Sequence, residues 1–204
     1  MDPYEHDESI RQSGFGSIAG VDEAGRGPLA GPVVAAAVIL PEDIRIDGVR
    51  DSKKIPRKER EELFWAILLN ARSIGIGIID PLEIDRLNIL RATKLAMHNA
   101  VTDLTTKPDM ILIDALTIPS IPIKQMPIIK GDAKSASIAA ASIIAKVVRD
   151  GIMMKCHSMY PCYEFDKHKG YATKAHLDKI EKHGPCPVHR KTFHKVKDLT
   201  LPFN

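Results

Sequence analysis

The sequence predicts an α/β fold, in which strands and helices alternate along one chain. Short apolar runs, such as residues 31–40, have the length of buried strands. Longer segments, such as residues 88–104 and 135–154, carry apolar residues at helical spacing. Acidic residues follow several of the strands directly, and functional sites of open α/β sheets gather at strand ends. These three observations together predict an α/β fold with a functional site at the ends of its strands.

The first half of the chain alternates between the two kinds of element. Residues 1–16 are polar and predict a flexible leader. The apolar runs 17–21 and 31–40 are separated by a turn rich in glycine and proline, which predicts a hairpin. Residues 56–70 begin with proline, which is favoured in a first helical turn, and predict a helix. Residues 73–79 contain β-branched side chains and predict a third strand.

The second half predicts two long helices with short strands between them. Residues 88–104 have the pattern of an amphipathic helix. Residues 110–113 form a short apolar run that ends on Asp114, and residues 127–129 form another. Residues 135–154 are rich in alanine and serine with apolar residues on one face. We expect this second long helix to pack closely on the sheet.

The end of the chain is basic and broken by proline and glycine. We expect short helices and loops from about residue 160, with 173–183 as the best helical stretch. Residues 165–204 hold nine Lys/Arg and four Asp/Glu, and five of the eight histidines. Such a segment suits a phosphate backbone, although a solvated charged tail is an equally good interpretation. The length of 204 residues predicts a single domain over 17–204, which includes this C-terminal segment.

Several classes of protein are disfavoured by composition. No apolar run reaches the length of a membrane span, and the acidic N-terminus is unlike a secretory signal. Three cysteines, Cys156, Cys162 and Cys186, do not make a disulfide framework and suit a reducing cytoplasm. These cysteines with His189 could form a zinc site, but the irregular spacing and the prolines beside Cys186 favour ordinary thiols.

Four acidic residues lie where apolar runs end. Asp22 and Glu23 follow the first run, Asp114 ends the run 110–113, and Asp132 follows the run 127–129. Carboxylates that met at one sheet edge would repel one another, and Mg²⁺ or Mn²⁺ would remove that cost. The alternative is that each acid is a separate surface residue or helix cap. Asp132 in particular suits the N-cap of the long helix.

Other segments carry weaker signals for binding. Gly25, Arg26 and Gly27 could let the backbone approach a phosphate group, although a tight turn is the favoured explanation for the tripeptide alone. Lys53 and Lys54 could contact a phosphate, but solvated loop lysines are common. Tyr171 is an aromatic residue in a basic loop and could stack on a sugar or a base.

Taken together, these segments resemble ribonuclease HII over about residues 18–193. The resemblance is carried by motifs that follow the family's order: Gly20-Val21-Asp22-Glu23-Ala24-Gly25-Arg26-Gly27-Pro28-Leu29-Ala30-Gly31-Pro32-Val33, Asp51-Ser52-Lys53-Lys54, Ile113-Asp114-Ala115, Lys130-Gly131-Asp132, Ala140-Ala141-Ser142-Ile143-Ile144-Ala145-Lys146, His168-Lys169-Gly170-Tyr171 and His189-Arg190-Lys191-Thr192-Phe193. The first of these motifs is highly specific to the family.

The resemblance implies a ribonuclease H-like fold, with a central five-stranded mixed sheet, flanking helices and a small C-terminal helical extension. It implies a cytoplasmic monomer that cuts the RNA strand of RNA–DNA hybrids and cuts 5′ to single ribonucleotides in duplex DNA. Two Mn²⁺ or Mg²⁺ ions would act in the reaction, which leaves a 5′-phosphate and a 3′-hydroxyl. The implied metal-binding and catalytic residues are Asp22, Glu23, Asp114 and Asp132. The implied substrate-binding residues are Gly25, Arg26, Gly27 and Tyr171, with Lys53 and Lys54 near the substrate backbone.

The sequence departs from the family pattern in two places. Glu164 stands where glycine is more usual, which bears on local loop geometry, and Ala172 stands where glycine or proline is common. Two other functions stay open from the residues: a DNA endonuclease on the same fold, and a nucleic-acid-binding protein without catalysis. Choice of substrate distinguishes the first, and binding that needs no divalent ion distinguishes the second.

Overall fold

The computed structural model describes residues 2–49 and 55–198, which form a five-stranded mixed sheet flanked by helices. The strands are β1 (Ile18–Ala24), β2 (Val33–Ile39), β3 (Ser73–Ile79), β4 (Met110–Asp114) and β5 (Lys124–Ile128). Their order across the sheet is β3-β2-β1-β4-β5. β1 pairs antiparallel with β2 and parallel with β4, so it lies at the centre. The predicted α/β class and five-stranded mixed sheet are confirmed.

Eight helices surround or extend this sheet in the described part of the chain. They are α1 (Pro3–Gln12), α2 (Arg57–Asn70), α3 (Pro81–Leu87), α4 (Ile89–Thr102), α5 (Ala136–Met159), α6 (Phe165–His168), α7 (Lys174–His183) and α8 (His194–Lys197). Two 3₁₀ turns, Gly131–Ala133 and Pro161–Tyr163, precede α5 and α6. None of the helices among these described residues is long and apolar enough to cross a bilayer.

The core has two halves, one on each face of the sheet. Alternate residues of β2 point into different halves, and all seven are buried. Val34, Ala36 and Val38 pack with α2 and α5, whereas Val33, Ala35 and Ala37 pack with α4. Because both faces of β2 are covered, its sequence is apolar throughout and shows no alternation of period two.

The long helix α5 lies unusually close to the central strand. A Cβ atom on Gly20 of β1 would be 2.0 Å from the backbone carbonyl carbon of Ser137. Only glycine lets the two backbones approach this far. The helix begins at Ser135, whose hydroxyl accepts a 3.2 Å hydrogen bond from the Ile138 N–H. Ser135, and not Asp132, is therefore the N-cap of α5.

The flexible leader predicted for residues 1–16 is wrong, because α1 occupies most of it. Asp2 caps the helix by accepting a 2.8 Å hydrogen bond from the Tyr4 N–H. Asp7 is only 1 % exposed, and its Oδ2 accepts a 2.9 Å hydrogen bond from the Ser137 N–H in the first turn of α5. A carboxylate is favoured there by the partial positive charge of a helix N-terminus. Ile10 packs beside Ile18 in the core.

Smaller differences concern element boundaries. β5 runs over Lys124–Ile128, whereas residues 127–129 were predicted. The helix α3 was not predicted, and α5 continues to Met159, beyond the predicted end at residue 154. Glu164 lies in the left-handed region with φ of 57°, which explains why glycine suits this position.

Candidate active site

Two of the predicted acidic residues lie side by side on the central strands. β1 and β4 run parallel, and Val21 of β1 is in register with Ile113 of β4. The next residues along the two strands are Asp22 and Asp114. Because parallel strands end at the same edge of a sheet, this register brings the two carboxylates to one edge.

Asp132 reaches the same edge from the 3₁₀ turn that follows β5. It is 7 % exposed, and the turn begins after Lys130, which has a left-handed φ of 55°. The Gly131 N–H donates a 2.8 Å hydrogen bond to Asp114 Oδ1, which ties the turn to the end of β4. The turn therefore places a third carboxylate near Asp114.

The electrostatics of Asp22 show that the four acids share one environment. Burial raises the pKa of Asp22 well above its ordinary value, and the charge of Glu23 raises it further. A hydrogen bond from the Glu23 N–H to Asp22 Oδ1, 2.7 Å long, acts in the opposite direction. The charges of Asp114 and Asp132 also raise this pKa. The negative charges of the other three acids thus disfavour a charge on Asp22, and a cation bound among them would lower that cost.

Nearby N–H groups contact the carboxylates of Asp22, Glu23 and Asp114. Asp22 accepts from the backbone of Glu23, Asp114 accepts from the backbone of Gly131, and Glu23 Oε1 lies 3.3 Å from Arg26 Nη1. Within residues 2–49 and 55–198, no three His, Cys, Asp or Glu side chains are arranged around a common metal position. Metal binding by the four acids therefore stays a prediction.

The chemistry of the donor set nevertheless fits a hard divalent cation. Carboxylate oxygens are the preferred ligands of Mg²⁺ and Mn²⁺, and burial together with mutual repulsion gives the four acids a reason to bind one. The zinc alternative lacks support among the described residues, because no three His, Cys, Asp or Glu side chains surround a common position there. Cys162 is exposed, whereas Cys156 and Cys186 are buried.

The Gly25-Arg26-Gly27 loop is held in place by a buried arginine. Arg190 is 0 % exposed and donates hydrogen bonds to the carbonyls of Gly25 at 2.6 Å, Arg26 at 3.0 Å and Gly31 at 3.0 Å. Burial and the charge of Arg149 lower the pKa of Arg190 to about 9. The positive charge beneath the loop is thus balanced by backbone dipoles.

A second buried arginine supports the same region from α5. Arg149 is also 0 % exposed and donates to the carbonyls of Pro32, Ala30 and Lys169 at 3.0 to 3.2 Å. Gly25 has a φ of 101°, and a Cβ atom there would lie 2.2 Å from Nε of Arg149. Both the backbone conformation and the close approach therefore require glycine at this position.

Tyr171 faces the Gly-Arg-Gly loop across a cleft of about 370 Å³. Its side chain is 45 % exposed, and its ring centroid lies 5.9 Å from Lys146 Nζ and 5.9 Å from Arg149 Cζ. The cleft is lined by Glu23, Ala24, Gly25, Arg26, Gly27, Arg60, Ser142, Lys146 and Tyr171. Glu23 belongs both to this cleft and to the acidic edge, so the two parts of the site are continuous.

Some residues of this site were not singled out from the sequence. Arg190 and Arg149 contact carbonyls more than a hundred positions away in the chain, so no local pattern reveals their role. Ser142 and Lys146 are four residues apart on α5, a spacing that places two side chains on one helix face and could have indicated them. The predicted residues Lys53 and Lys54 lie outside the described residues.

Comparison with known proteins identifies a family. The family model described as "Ribonuclease HII" matches residues 19–197. Ribonuclease HII of Caldanaerobacter subterraneus is 55 % identical over 188 residues, which cover 92 % of this chain and 78 % of that protein. Ribonuclease HII of Acetivibrio thermocellus is 55 % identical over 190 residues, which cover 93 % and 74 %.

Two solved structures have a similar fold. The ribonuclease H2 of Pyrococcus horikoshii gives a TM-score of 0.73 at 29 % identity, covering 90 % of this chain and 96 % of that one. The ribonuclease HII of Archaeoglobus fulgidus, solved in a complex with PCNA, gives 0.75 at 26 % identity, covering 90 % and 97 %.

Proposed function

The chain belongs to the ribonuclease HII family and is therefore a ribonuclease H, and we propose that it cuts both RNA–DNA hybrids and DNA duplexes that contain a single ribonucleotide. Cleavage at a single ribonucleotide is supported by one observation: the acidic edge is continuous with the cleft between the Gly-Arg-Gly loop and Tyr171. A site for one embedded ribonucleotide needs chemistry and 2′-hydroxyl recognition within one nucleotide of each other.

The acidic edge supplies the chemistry in this proposal. Asp22, Glu23, Asp114 and Asp132 would hold two divalent ions, Mn²⁺ or Mg²⁺. When bound, such ions supply Lewis acidity, which lowers the pKa of an attacking water and neutralises charge on the leaving 3′-oxygen. Attack at phosphorus on the 5′ side of the ribonucleotide leaves a 3′-hydroxyl on the upstream strand and a 5′-phosphate on the ribonucleotide.

The cleft supplies the recognition. The backbone of Gly25 and Gly27 can approach a sugar closely, and the 2′-hydroxyl both donates and accepts hydrogen bonds. Arg26 lies at the cleft with its side chain 46 % exposed, so it can contact a phosphate. Tyr171 would stack against the sugar of the following deoxyribonucleotide. Lys53 and Lys54 would contact the substrate backbone.

Several broader features belong to the same proposal. We infer a single catalytic domain over residues 17–204, with the basic C-terminal segment from about residue 160 contributing salt-dependent affinity for the duplex. The three free cysteines fit a reducing compartment, so the protein would act in the cytoplasm, and as a monomer.

The test is cleavage of a 5′-labelled DNA duplex that contains one ribonucleotide, with Mn²⁺, with Mg²⁺ and with a chelator. The expected result is metal-dependent cutting on the 5′ side of the ribonucleotide. An RNA–DNA hybrid and an all-DNA duplex serve as comparison substrates. Cutting of the hybrid alone would refute the recognition role of Arg26 and Tyr171, and cutting of the all-DNA duplex would favour a DNA endonuclease. Metal-independent binding of every duplex without cutting would favour a binding protein.

A further inference from the structure

Three histidines lie behind Tyr171, and the proposed mechanism uses none of them. His176 of α7 is 0 % exposed and His189 is 1 % exposed, and His168 ends α6. The ring of His176 stacks on that of His168 with centroids 4.3 Å apart and lies 5.2 Å from that of His189. Phe165 packs against all three rings. Three titratable side chains in contact, two of them buried, are unusual for a structural core.

The hydrogen bonds of two of these histidines form a chain with one direction. The Cys186 N–H donates to His189 Nδ1 at 2.9 Å, so Nδ1 is an acceptor and the ring proton is on Nε2. His189 Nε2 lies 3.1 Å from His176 Nε2, which must then accept. The proton of His176 is consequently on Nδ1, and it is donated to the carbonyl of Tyr171 at 2.9 Å.

The opposite pair of tautomers fails at both ends of the chain. A proton on His189 Nδ1 would face the Cys186 N–H at 2.9 Å, even though it could reach the Cys186 carbonyl at 3.3 Å. A lone pair on His176 Nδ1 would face the carbonyl oxygen of Tyr171 at 2.9 Å. Protonation of His176 would place two N–H groups against each other across the 3.1 Å contact, and protonation of His189 would place its Nδ1–H against the Cys186 N–H. All of these hydrogen bonds are therefore satisfied only when both rings are neutral, with the proton of His189 on Nε2 and the proton of His176 on Nδ1.

The third histidine holds Tyr171 from the other side. The Tyr171 N–H donates to the carbonyl of His168 at 2.9 Å, and His168 Nδ1 accepts from the Gly170 N–H at 3.2 Å. His168 Nε2 lies 2.7 Å from the carbonyl of Tyr163, to which it donates. Lys169, in the same loop, has a left-handed φ of 50°. The backbone on both sides of Tyr171 is thus fixed by histidine contacts.

We propose that His176, kept in its Nδ1–H tautomer by His189, is a positioning residue that sets the place of Tyr171 in the cleft and so sets the preference for a single embedded ribonucleotide. The proposal rests on the proposed function of the cleft. Tyr171 is nearly half exposed, and the cationic groups of Lys146 and Arg149 each lie 5.9 Å from its ring centroid. Its position is therefore determined mainly by its main chain, whose carbonyl His176 holds together with the Thr173 N–H.

The first test reads the tautomers in the wild-type protein by ¹⁵N NMR of the histidine rings at pH 7, with no metal and no substrate. We expect His176 as the Nδ1–H tautomer and His189 as the Nε2–H tautomer. The reverse assignment for either ring, or a doubly protonated ring at pH 7, would overturn the proposal. This measurement needs neither a variant nor activity.

The second test compares two variants that differ in which nitrogen they replace. Asn at position 176 can place an amide N–H near the Nδ1 position, whereas Gln reaches the Nε2 position. We expect His176→Gln to lower kcat/KM for the single-ribonucleotide duplex about tenfold, mainly through KM, since one hydrogen bond to a main-chain carbonyl is lost. Cleavage of a long RNA–DNA hybrid should change less than about threefold, and His176→Asn should restore most of the lost activity.

The matched control is His98→Asn on α4, outside the acidic edge, the cleft and the basic C-terminal segment, where the ring contacts Ser120 Oγ at 2.8 Å. It should leave both activities unchanged. An equal loss on both substrates in His176→Gln, or no difference between the Gln and Asn variants, would show a purely structural role and overturn the inference. A wild-type protein that cuts neither duplex would instead refute the proposed function, and the NMR result would still decide the tautomers.

Discussion

The buried arginine beneath the Gly-Arg-Gly loop gives the sharpest prediction. Arg190 donates three hydrogen bonds to carbonyls, and a lysine at this position has one nitrogen that can replace at most part of them. Loss of two hydrogen bonds from a charged donor, partly offset by the lower desolvation cost of a group that can deprotonate, should destabilise Arg190→Lys by about 3 kcal/mol. For a domain of this size each kcal/mol lowers Tm by about 2 to 4 °C.

We therefore expect Tm of Arg190→Lys to fall by about 6 to 12 °C in a thermal melt followed by circular dichroism. Below that transition, kcat/KM for the single-ribonucleotide duplex should fall about tenfold or more, because the carbonyls of Gly25 and Arg26 lose their support. The matched control is Arg86→Lys, at a side chain that is 67 % exposed and 3.5 Å from Glu83. Such surface pairs contribute at most about 1 kcal/mol. A melt of Arg190→Lys within about 2 °C of wild type, with unchanged activity, would refute the clamping role.

Three further predictions follow from the sheet and the histidines. Asp114→Asn should lower cleavage of both substrates below detection, with a Tm within about 3 °C of wild type. The control Asp43→Asn, at an exposed side chain, should change neither cleavage nor Tm. Near-full activity of Asp114→Asn would show that Asp114 is not part of the metal site. Gly20→Ala should destabilise the protein by about 3 kcal/mol, because its Cβ would meet the Ser137 backbone at 2.0 Å. Gly151→Ala, on α5 with no atom within 4 Å of the added Cβ, should stabilise the protein by about 1 kcal/mol. Equal Tm values for the two variants would contradict the close approach of α5 to Gly20. Burial lowers the pKa of His176 and His189 to about 4, so the stability they contribute is present above pH 6.5 and is lost as pH falls towards 4. Over that range the Tm of wild type should fall more steeply than the Tm of His176→Asn. Parallel profiles of Tm against pH would contradict this expectation.

The groups around the two histidines support the direction of that pH dependence. Burial also lowers the pKa of the neighbouring His168. Burial raises the pKa of Tyr163 to about 12 and that of Cys186 to about 11, so both are neutral in this range. Among residues 2–49 and 55–198, the groups shown in contact with the pair therefore include no anion that would stabilise an imidazolium.

The sequence predicted most of the sheet because local patterns determine it. The strand predicted over 73–79 coincides with β3, and the buried strand β2 was evident from its unbroken apolar run. β5 was predicted over residues 127–129, later in the chain than its observed range, because it lies at the edge of the sheet and is mostly exposed. Lys124 and Gln125, which are in register with Met110 and Ile111, do not have the composition of a buried strand.

Two helices were missed although they share a visible start signal. α1 begins with Asp2-Pro3 and α3 begins with Asp80-Pro81. In each case the aspartate caps the helix and proline occupies its first turn, a combination that favours helix initiation. The polar composition of residues 1–16 outweighed this signal in the prediction. The burial of Asp7 against α5, 130 residues away, could not be inferred from a local pattern.

The two halves of the site differ in what holds them, and this difference has a functional consequence. The acids lie on β1, on β4 and on the 3₁₀ turn tied to β4, so their places depend on the sheet. The Gly-Arg-Gly loop and Tyr171 are held by carbonyl contacts to Arg190, Arg149 and the histidines of the C-terminal segment. Substitutions in the second set can therefore alter the preference between substrates without moving the acids. Substitutions of the acids should abolish cleavage of every substrate alike, so the ratio of the two activities separates a recognition defect from a catalytic one.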